Sequence, residues 1–151
     1  MTAYIMVGPS GSGKSTWVKN NLSEEARVCS ADHYFMDNGE YKFDFRKLGE
    51  AHGECLRSFI QGCAAGLDVV CDNTNTTIED IAPYMAVAAA YSQQVEVVLF
   101  DVPPEVCAER NSHGVPPKSI NRMCDNVSAL REKWPRRWPE PKVIKEQTND
   151  N

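Results

Sequence analysis

The chain has 151 residues, a formal net charge of −5, and 42% hydrophobic and 25% charged residues. That length and apolar fraction fit one ordinary buried core, and a division in two would leave each half near the size where cores become marginal. An acidic total excludes a protein that binds polyanions over its whole surface.

In chain order, residues 4–7 (Tyr-Ile-Met-Val) read as a short, fully buried strand, followed by a glycine loop from Gly8 and a helix over 14–22. Residues 27–29 make a weak second strand, and 33–45 form a polar, aromatic-rich connection around the turn pair Asn38-Gly39. Over 46–65, Leu48, Cys55, Leu56, Phe59 and Ile60 recur at helical spacing until Gly66 marks the stop. Residues 67–71 read as a third strand. A helix follows over 79–91, with Pro83 near its first turn, where proline is tolerated. Residues 95–100 are the fourth strand, and the unbroken apolar run from Val97 to Phe100 is typical of a parallel sheet. Pro103-Pro104 opens a helix through Arg110, the stretch from His113 to Pro117 breaks it, and a helix resumes over 118–131. Strands alternating with helices imply an α/β sandwich with a short parallel sheet of about four strands flanked by helices. The segment from Trp134 is rich in Pro, Trp and charge. It reads as a tail over 134–151, its last residues disordered, after a folded domain over 1–133.

Charge is unevenly spread. Residues 110–145 hold nine Lys or Arg against three acids, and no Lys or Arg lies between Arg57 and Arg110. A basic segment on an acidic body suits a local phosphate site, or equally a solvated helix face. The six cysteines form no C-x-x-C pair and no Cys/His cluster with metal-ligand spacing, and the N-terminus runs into the glycine loop without a basic lead or a long apolar run. The expectation is a protein of the reducing cytoplasm, with no membrane segment.

The most informative stretch is Gly8-Pro9-Ser10-Gly11-Ser12-Gly13-Lys14-Ser15, which satisfies G-x-x-x-x-G-K-[ST] at each fixed position, directly after a buried strand and opening a helix. Glycines let the main chain turn its N–H groups inward around phosphates, and the helix N-terminus adds a favourable dipole. In this P-loop motif Lys14 would serve the β- and γ-phosphates of ATP and Ser15 would ligate Mg²⁺, with Thr16 extending the motif. Nucleotide use alone does not fix the reaction, but no [NT]-K-x-D guanine signature occurs, and the short chain leaves little room for a motor.

Three further places suit phosphoryl transfer. Asp32, in Ser30-Ala31-Asp32-His33-Tyr34, follows the second strand, where ligands of open α/β sheets gather. It could take a proton from an acceptor hydroxyl, or cap a turn. Asp72-Asn73-Thr74-Asn75 ends the third strand and could hold Mg²⁺ through water, fix an acceptor loop, or simply cap a helix. Arg110 with His113, just before Gly114-Val115-Pro116, has the make-up of a closing lid.

Taken together, residues 8–17 (GPSGSGKSTW), the S-x-D-x-Y of 30–34, the D-N-T-N of 72–75 and residues 110–123 (RNSHGVPPKSINRM) resemble the kinase domain of phage-type polynucleotide 5′-hydroxyl kinases and the small P-loop kinases related to it. The resemblance spans roughly residues 4–131. It implies a P-loop sandwich of four parallel strands with a helical lid, ATP on one side and the acceptor opposite. It implies Lys14 and Ser15 on the phosphates and Mg²⁺, Asp32 as general base on a 5′-hydroxyl of DNA or RNA, and Arg110 as a lid arginine with Arg122 as a second basic residue. Asp72, Asn73 and Asn75 would support the acceptor site. The chain departs from the family at His33, where a second acid is frequent, and at Phe35, where an arginine suits the acceptor phosphate. Tyr34 and Phe35 could stack on a base or be plain packing, and Trp134 and Trp138 lie in the basic segment. A small hydroxylated metabolite or nucleoside is the alternative acceptor, and a nucleotide-gated binding module without transfer is the alternative from another class.

Overall fold

Strand β1 (Thr2–Val7) forms the middle of the sheet in the computed structural model, which describes residues 1–145. The chain continues through α1 (Lys14–Asn21), β2 (Arg27–Cys29), a 3-10 turn (Ala31–Phe35), the hairpin β3 (Met36–Asp37) and β4 (Glu40–Tyr41), and a second 3-10 turn (Phe45–Lys47). It then runs α2 (Leu48–Ala64), β5 (Val69–Cys71), α3 (Ile78–Ala90), β6 (Gln94–Phe100), α4 (Pro104–Arg110), α5 (Pro117–Glu132) and β7 (Lys142–Ile144). The main sheet has the order β2-β5-β1-β6-β7, and every pair in it is parallel. No helix among the described residues is long and apolar enough to cross a membrane.

Alternation along the strands sorts the core into two layers. Ala3, Ile5 and Val7 of β1, with Val69, Cys71, Val97 and Leu99, face Phe59 of α2 and Ile81 and Tyr84 of α3. Met6, Val70, Val98 and Phe100 face the other way, onto Trp17 and Val18 of α1, Cys107 of α4 and Ile120 of α5. Burial on both faces explains why these strands read as unbroken apolar runs.

Three expectations change. The sheet has five strands instead of four, because β7 adds Val143 beside Leu99 at the edge of β6. The segment from Trp134, read as a tail, packs on the core through Trp134, Trp138 and Val143, and residues 146–151 lie outside the described residues. Pro83 sits inside α3, because Thr77 caps that helix with its side chain on the Asp80 N–H. The carbonyl that Pro83 leaves without a helical donor is that of Glu79, an exposed residue. The turn expected at Asn38-Gly39 in the connection after β2 is present. Asn38 and Gly39, with φ of 52° and 83°, form the two-residue turn of a hairpin pairing Met36 with Tyr41.

Candidate active site

Parallel strands bring their carboxyl ends to one edge of the sheet, and the loops leaving β1, β2 and β5 meet there with the end of α4 around a cavity of about 530 Å³. Its lining includes Ser10, Gly11, Gly13, Lys14, Ser15 and Thr16 on one side, Asp32, Asp72 and Asn73 on another, and Arg110 to His113 above.

The phosphate loop is shaped by main chain. Gly11 and Gly13 take φ of 82° and 100°, a region that favours glycine, and Gly13 opens α1. A Cβ on Gly11 would lie 2.2 Å from the Cys107 carbonyl oxygen, so α4 packs straight onto the loop. Gly8 is similarly confined, between Phe100 and the Ser12 hydroxyl, and its N–H donates to the Thr74 carbonyl at 2.8 Å. Ser12 is fully buried, and its hydroxyl has no hydrogen-bond partner among the described residues. Lys14 Nζ donates to the Gly8 and Pro9 carbonyls at 3.0 and 2.9 Å. Burial pushes this ammonium below lysine's ordinary pKa, against the opposing pull of Asp72 and Asp32. A loop with a buried cation, an orphaned hydroxyl and a helix N-terminus suits an anion.

Ser15 Oγ donates to Asp72 Oδ2 at 2.7 Å. A hydroxyl and a carboxylate at one wall of a cavity are the oxygen donors a small hard cation such as Mg²⁺ takes. No group of three or more His, Cys, Asp or Glu that could hold a metal occurs among the described residues, so such an ion would complete its shell with phosphate and water oxygens. The donor set therefore fits a nucleotide-bound Mg²⁺, with Asp72 beside Ser15.

The remaining expected residues separate into those the fold brings together and those it does not. Asp32 lies in the 3-10 turn after β2, and the cap of that turn is Ser30, whose Oγ accepts from the Asp32 N–H at 3.2 Å. The Asp32 carboxylate is thus released from capping and lines the cavity, its side chain 50% exposed. Asn73 also lines the cavity, and its Oδ1 accepts from the Ala31 N–H at 2.8 Å, tying the end of β5 to the turn that carries Asp32. Asn75 is buried and donates to the Met6 carbonyl at 2.9 Å, so it braces β1 and lies outside the cavity lining. Arg110 ends α4 at the cavity. Arg122 is exposed on α5 and not part of the lining. Tyr34 turns its hydroxyl to Glu50 at the surface, away from the cavity, and Phe35 is buried against Ala31 and Ala51. Trp134 and Trp138 pack edge-to-face, centroids 5.3 Å apart, against the core, which accounts for them as packing.

Two residues escaped the sequence reading. Tyr41 donates its hydroxyl to Asp32 Oδ1 at 3.1 Å. Asn111 staples the loop after α4, its Nδ2 donating to the Val115 carbonyl at 2.7 Å and its Oδ1 accepting from the His113 and Val115 N–H groups at 3.3 Å. Asn111 followed by a turn was a readable loop signal, whereas nothing local links Tyr41 to Asp32.

Comparison with known proteins bears on this geometry. A family described as AAA domain matches residues 4–116. Human NEDD4-binding protein 2 is 32% identical over 140 residues, covering 83% of this chain and 8% of its own length. A protein of Autographa californica nuclear polyhedrosis virus, described as a bifunctional polynucleotide kinase/RNA ligase, is 28% identical over 120 residues, covering 71% of this chain and 17% of its own length. The chain thus spans a small fraction of these curated relatives. Among solved structures, a chain of the Pnkp1/Rnl/Hen1 RNA repair complex superposes with a TM-score of 0.75 at 20% identity, over 97% of this chain and 50% of that one.

Proposed function

Because the chain belongs to the AAA domain family, we propose that it is a P-loop kinase that transfers the γ-phosphate of ATP to the 5′-hydroxyl end of DNA or RNA. The observation that carries the reading is that Asp32 opens onto the same cavity as Lys14, Ser15 and Arg110. A base and a phosphate grip then face one reaction volume. The nucleic-acid acceptor is supported by the viral relative described as a polynucleotide kinase/RNA ligase.

In this mechanism the loop N–H groups and Lys14 hold the β- and γ-phosphates, and Lys14 exchanges its two carbonyl partners for phosphate oxygens. Ser15 and Asp72 would hold Mg²⁺, which when bound supplies positive charge to the phosphates. Asp32 accepts the proton of the acceptor hydroxyl as its oxygen bonds to the γ-phosphorus and the bond to ADP breaks. Arg110 adds a guanidinium to the charge on the transferring group, and Asn73 holds the turn of Asp32 in place. Six free cysteines fit a reducing cytoplasm.

The test is γ-labelled ATP offered side by side with 5′-hydroxyl oligonucleotides, nucleosides and sugars. Label on oligonucleotide ends alone is the expected result, weakening as salt rises if phosphates of the acceptor are gripped. Label on a small molecule alone would replace the acceptor, and ATP binding with no transfer would leave a binding module.

A further inference from the structure

The hairpin β3–β4 and the loop after α4 come from distant parts of the chain, yet both end on Asp32. Tyr41 donates to Oδ1 at 3.1 Å, and His113 Nδ1 stands 3.5 Å from Oδ2. The two rings stack on each other, with centroids 4.1 Å apart and planes 13° from parallel. One carboxylate is therefore held between a phenol and an imidazole that also hold each other.

Each ring is presented by braced local structure. Tyr41 is fixed by its pairing with Met36 and by its edge against the buried Phe35 ring, and the Lys42 N–H donates to the Phe35 carbonyl at 2.8 Å. His113 is fixed by the Asn111 staple that closes residues 111–115. Arg110 and His113 lie three residues apart and both line the cavity. One short segment thus reaches the phosphate side with a guanidinium and the acceptor side with an imidazole.

We infer that His113 is a positioning residue for Asp32, and that with Tyr41 it forms a latch which sets the base only when the segment carrying Arg110 stands over the phosphate loop. The inference rests on the kinase reading above and adds to it a coupling between the two halves of the site. The division of labour follows from the distances. Tyr41 makes a hydrogen bond and occupies Oδ1. Burial, followed by the charge of Asp32, pushes its phenol up to about 12, so it remains a donor at any working pH. His113 Nδ1 faces Oδ2 at 3.5 Å, a polar contact longer than a good hydrogen bond, and Oδ2 has a further lone pair for the acceptor while the imidazole N–H biases its direction. In the step itself the acceptor proton passes to Oδ2 as the new O–P bond forms and the bond to ADP breaks. His113 neither gives nor takes a proton in it.

The experiment compares wild type with His113→Ala, His113→Asn, Tyr41→Phe, Tyr41→Leu and the double variant Tyr41→Phe/His113→Ala. It reads kcat and both KM values on a 5′-hydroxyl oligonucleotide, the thermal midpoint, and the imidazole proton resonances. His113→Ala should lower kcat about 10- to 100-fold, a part of what a general base contributes, with the KM for ATP nearly unchanged. His113→Asn, which keeps an N–H near the position of Nδ1, should recover most of that loss. Tyr41→Phe should lower kcat by a smaller factor. Its loss combined with that of His113→Ala should fall short of the product of the two, because both act through one carboxylate. In Tyr41→Leu the His113 imidazole lines should move as the ring current is lost, while those of His33 and His52 stay. Wild-type kcat in His113→Ala, or a collapse of its thermal midpoint with no rescue by asparagine, overturns the positioning role while the kinase reading stands. Imidazole lines unmoved in Tyr41→Leu overturn the latch. A wild-type protein that labels no acceptor overturns the kinase reading, and the positioning role falls with it even if the lines move.

Discussion

The two walls of the cavity are made differently. The phosphate wall is one run of eight residues, Gly8 to Ser15, whose shape is main-chain shape: two left-handed glycines, a helix N-terminus and a lysine held by carbonyls. The wall we assign to the acceptor is made of side chains delivered by separate segments, Asp32 after β2, Tyr41 from the hairpin and His113 from the loop after α4. Lys14 is buried, while the side chains of Asp32 and His113 are 50% and 37% exposed. A wall built of backbone suits what every nucleoside triphosphate shares. A wall built of half-exposed side chains can be re-specified without disturbing the core. The two walls should therefore fail in different ways.

The largest expected effect is on the phosphate wall. Lys14→Ala should lower transfer at least about 10³-fold, the upper range for removing one donor to transition-state charge, and should do so with every acceptor. The thermal midpoint should hold, because the substitution removes a cation whose burial is itself unfavourable. Substantial transfer by this variant, measured with labelled ATP, would break the contrast at its stronger end. On the acceptor wall, Asp32→Asn should lower kcat about 10²- to 10³-fold, within the range of general base catalysis. Equilibrium binding of ATP should change far less than kcat, because the Asp32 carboxylate is engaged by Tyr41 and faces His113, outside the eight-residue loop. A parallel loss of ATP affinity would merge the two walls into one.

This contrast also explains what could be read from sequence. The phosphate loop was legible because its function is local: eight consecutive residues, a strand before and a helix after. The sheet was legible where burial on both faces writes an apolar run, as in Val97 to Phe100. β7 was missed because Lys142-Val143-Ile144 is short, flanked by proline and charge, and becomes a strand only by lying along β6. The strand-end aspartates were visible as candidates, but their partners were not. That Asp72 sits on Ser15, and that Asn75 holds Met6 while Asn73 holds Ala31, are long-range pairings that no local pattern encodes. Tyr41 is the clearest case: its residue type and spacing looked like ordinary loop aromatics, and only the hairpin fold turns it onto Asp32.

Arg110→Ala should have an intermediate effect that tests whether one segment serves both walls. Turnover should fall about 10- to 100-fold if Arg110 supplies transition-state charge to the transferring phosphate as proposed. The thermal midpoint should move little, because Arg110 is exposed at the end of α4. A large drop in the midpoint with turnover per folded molecule preserved would make this arginine a structural residue and leave the acceptor wall without its link to ATP.

The smallest effect on turnover belongs to Asn75→Ala, although the residue sits in the same four-residue stretch as Asp72 and Asn73. Its amide is buried and ties the loop after β5 to the Met6 carbonyl at 2.9 Å, so the substitution strands a carbonyl inside the sheet. That should cost about 1–3 kcal/mol of stability. A further increment arises because Asn75 holds a φ of 48°, which alanine adopts less readily. Urea unfolding should show the loss as a lower midpoint at unchanged slope, while kcat per folded molecule and the KM for the acceptor stay near wild type. Asn73→Ala, whose partner is the Ala31 N–H beside Asp32, the proposed base, should show the reverse balance, with turnover falling more than stability. If instead Asn75→Ala raised the acceptor KM without destabilising the fold, the acceptor wall would extend beneath the loop after β5 and the division between the walls would have to be redrawn there.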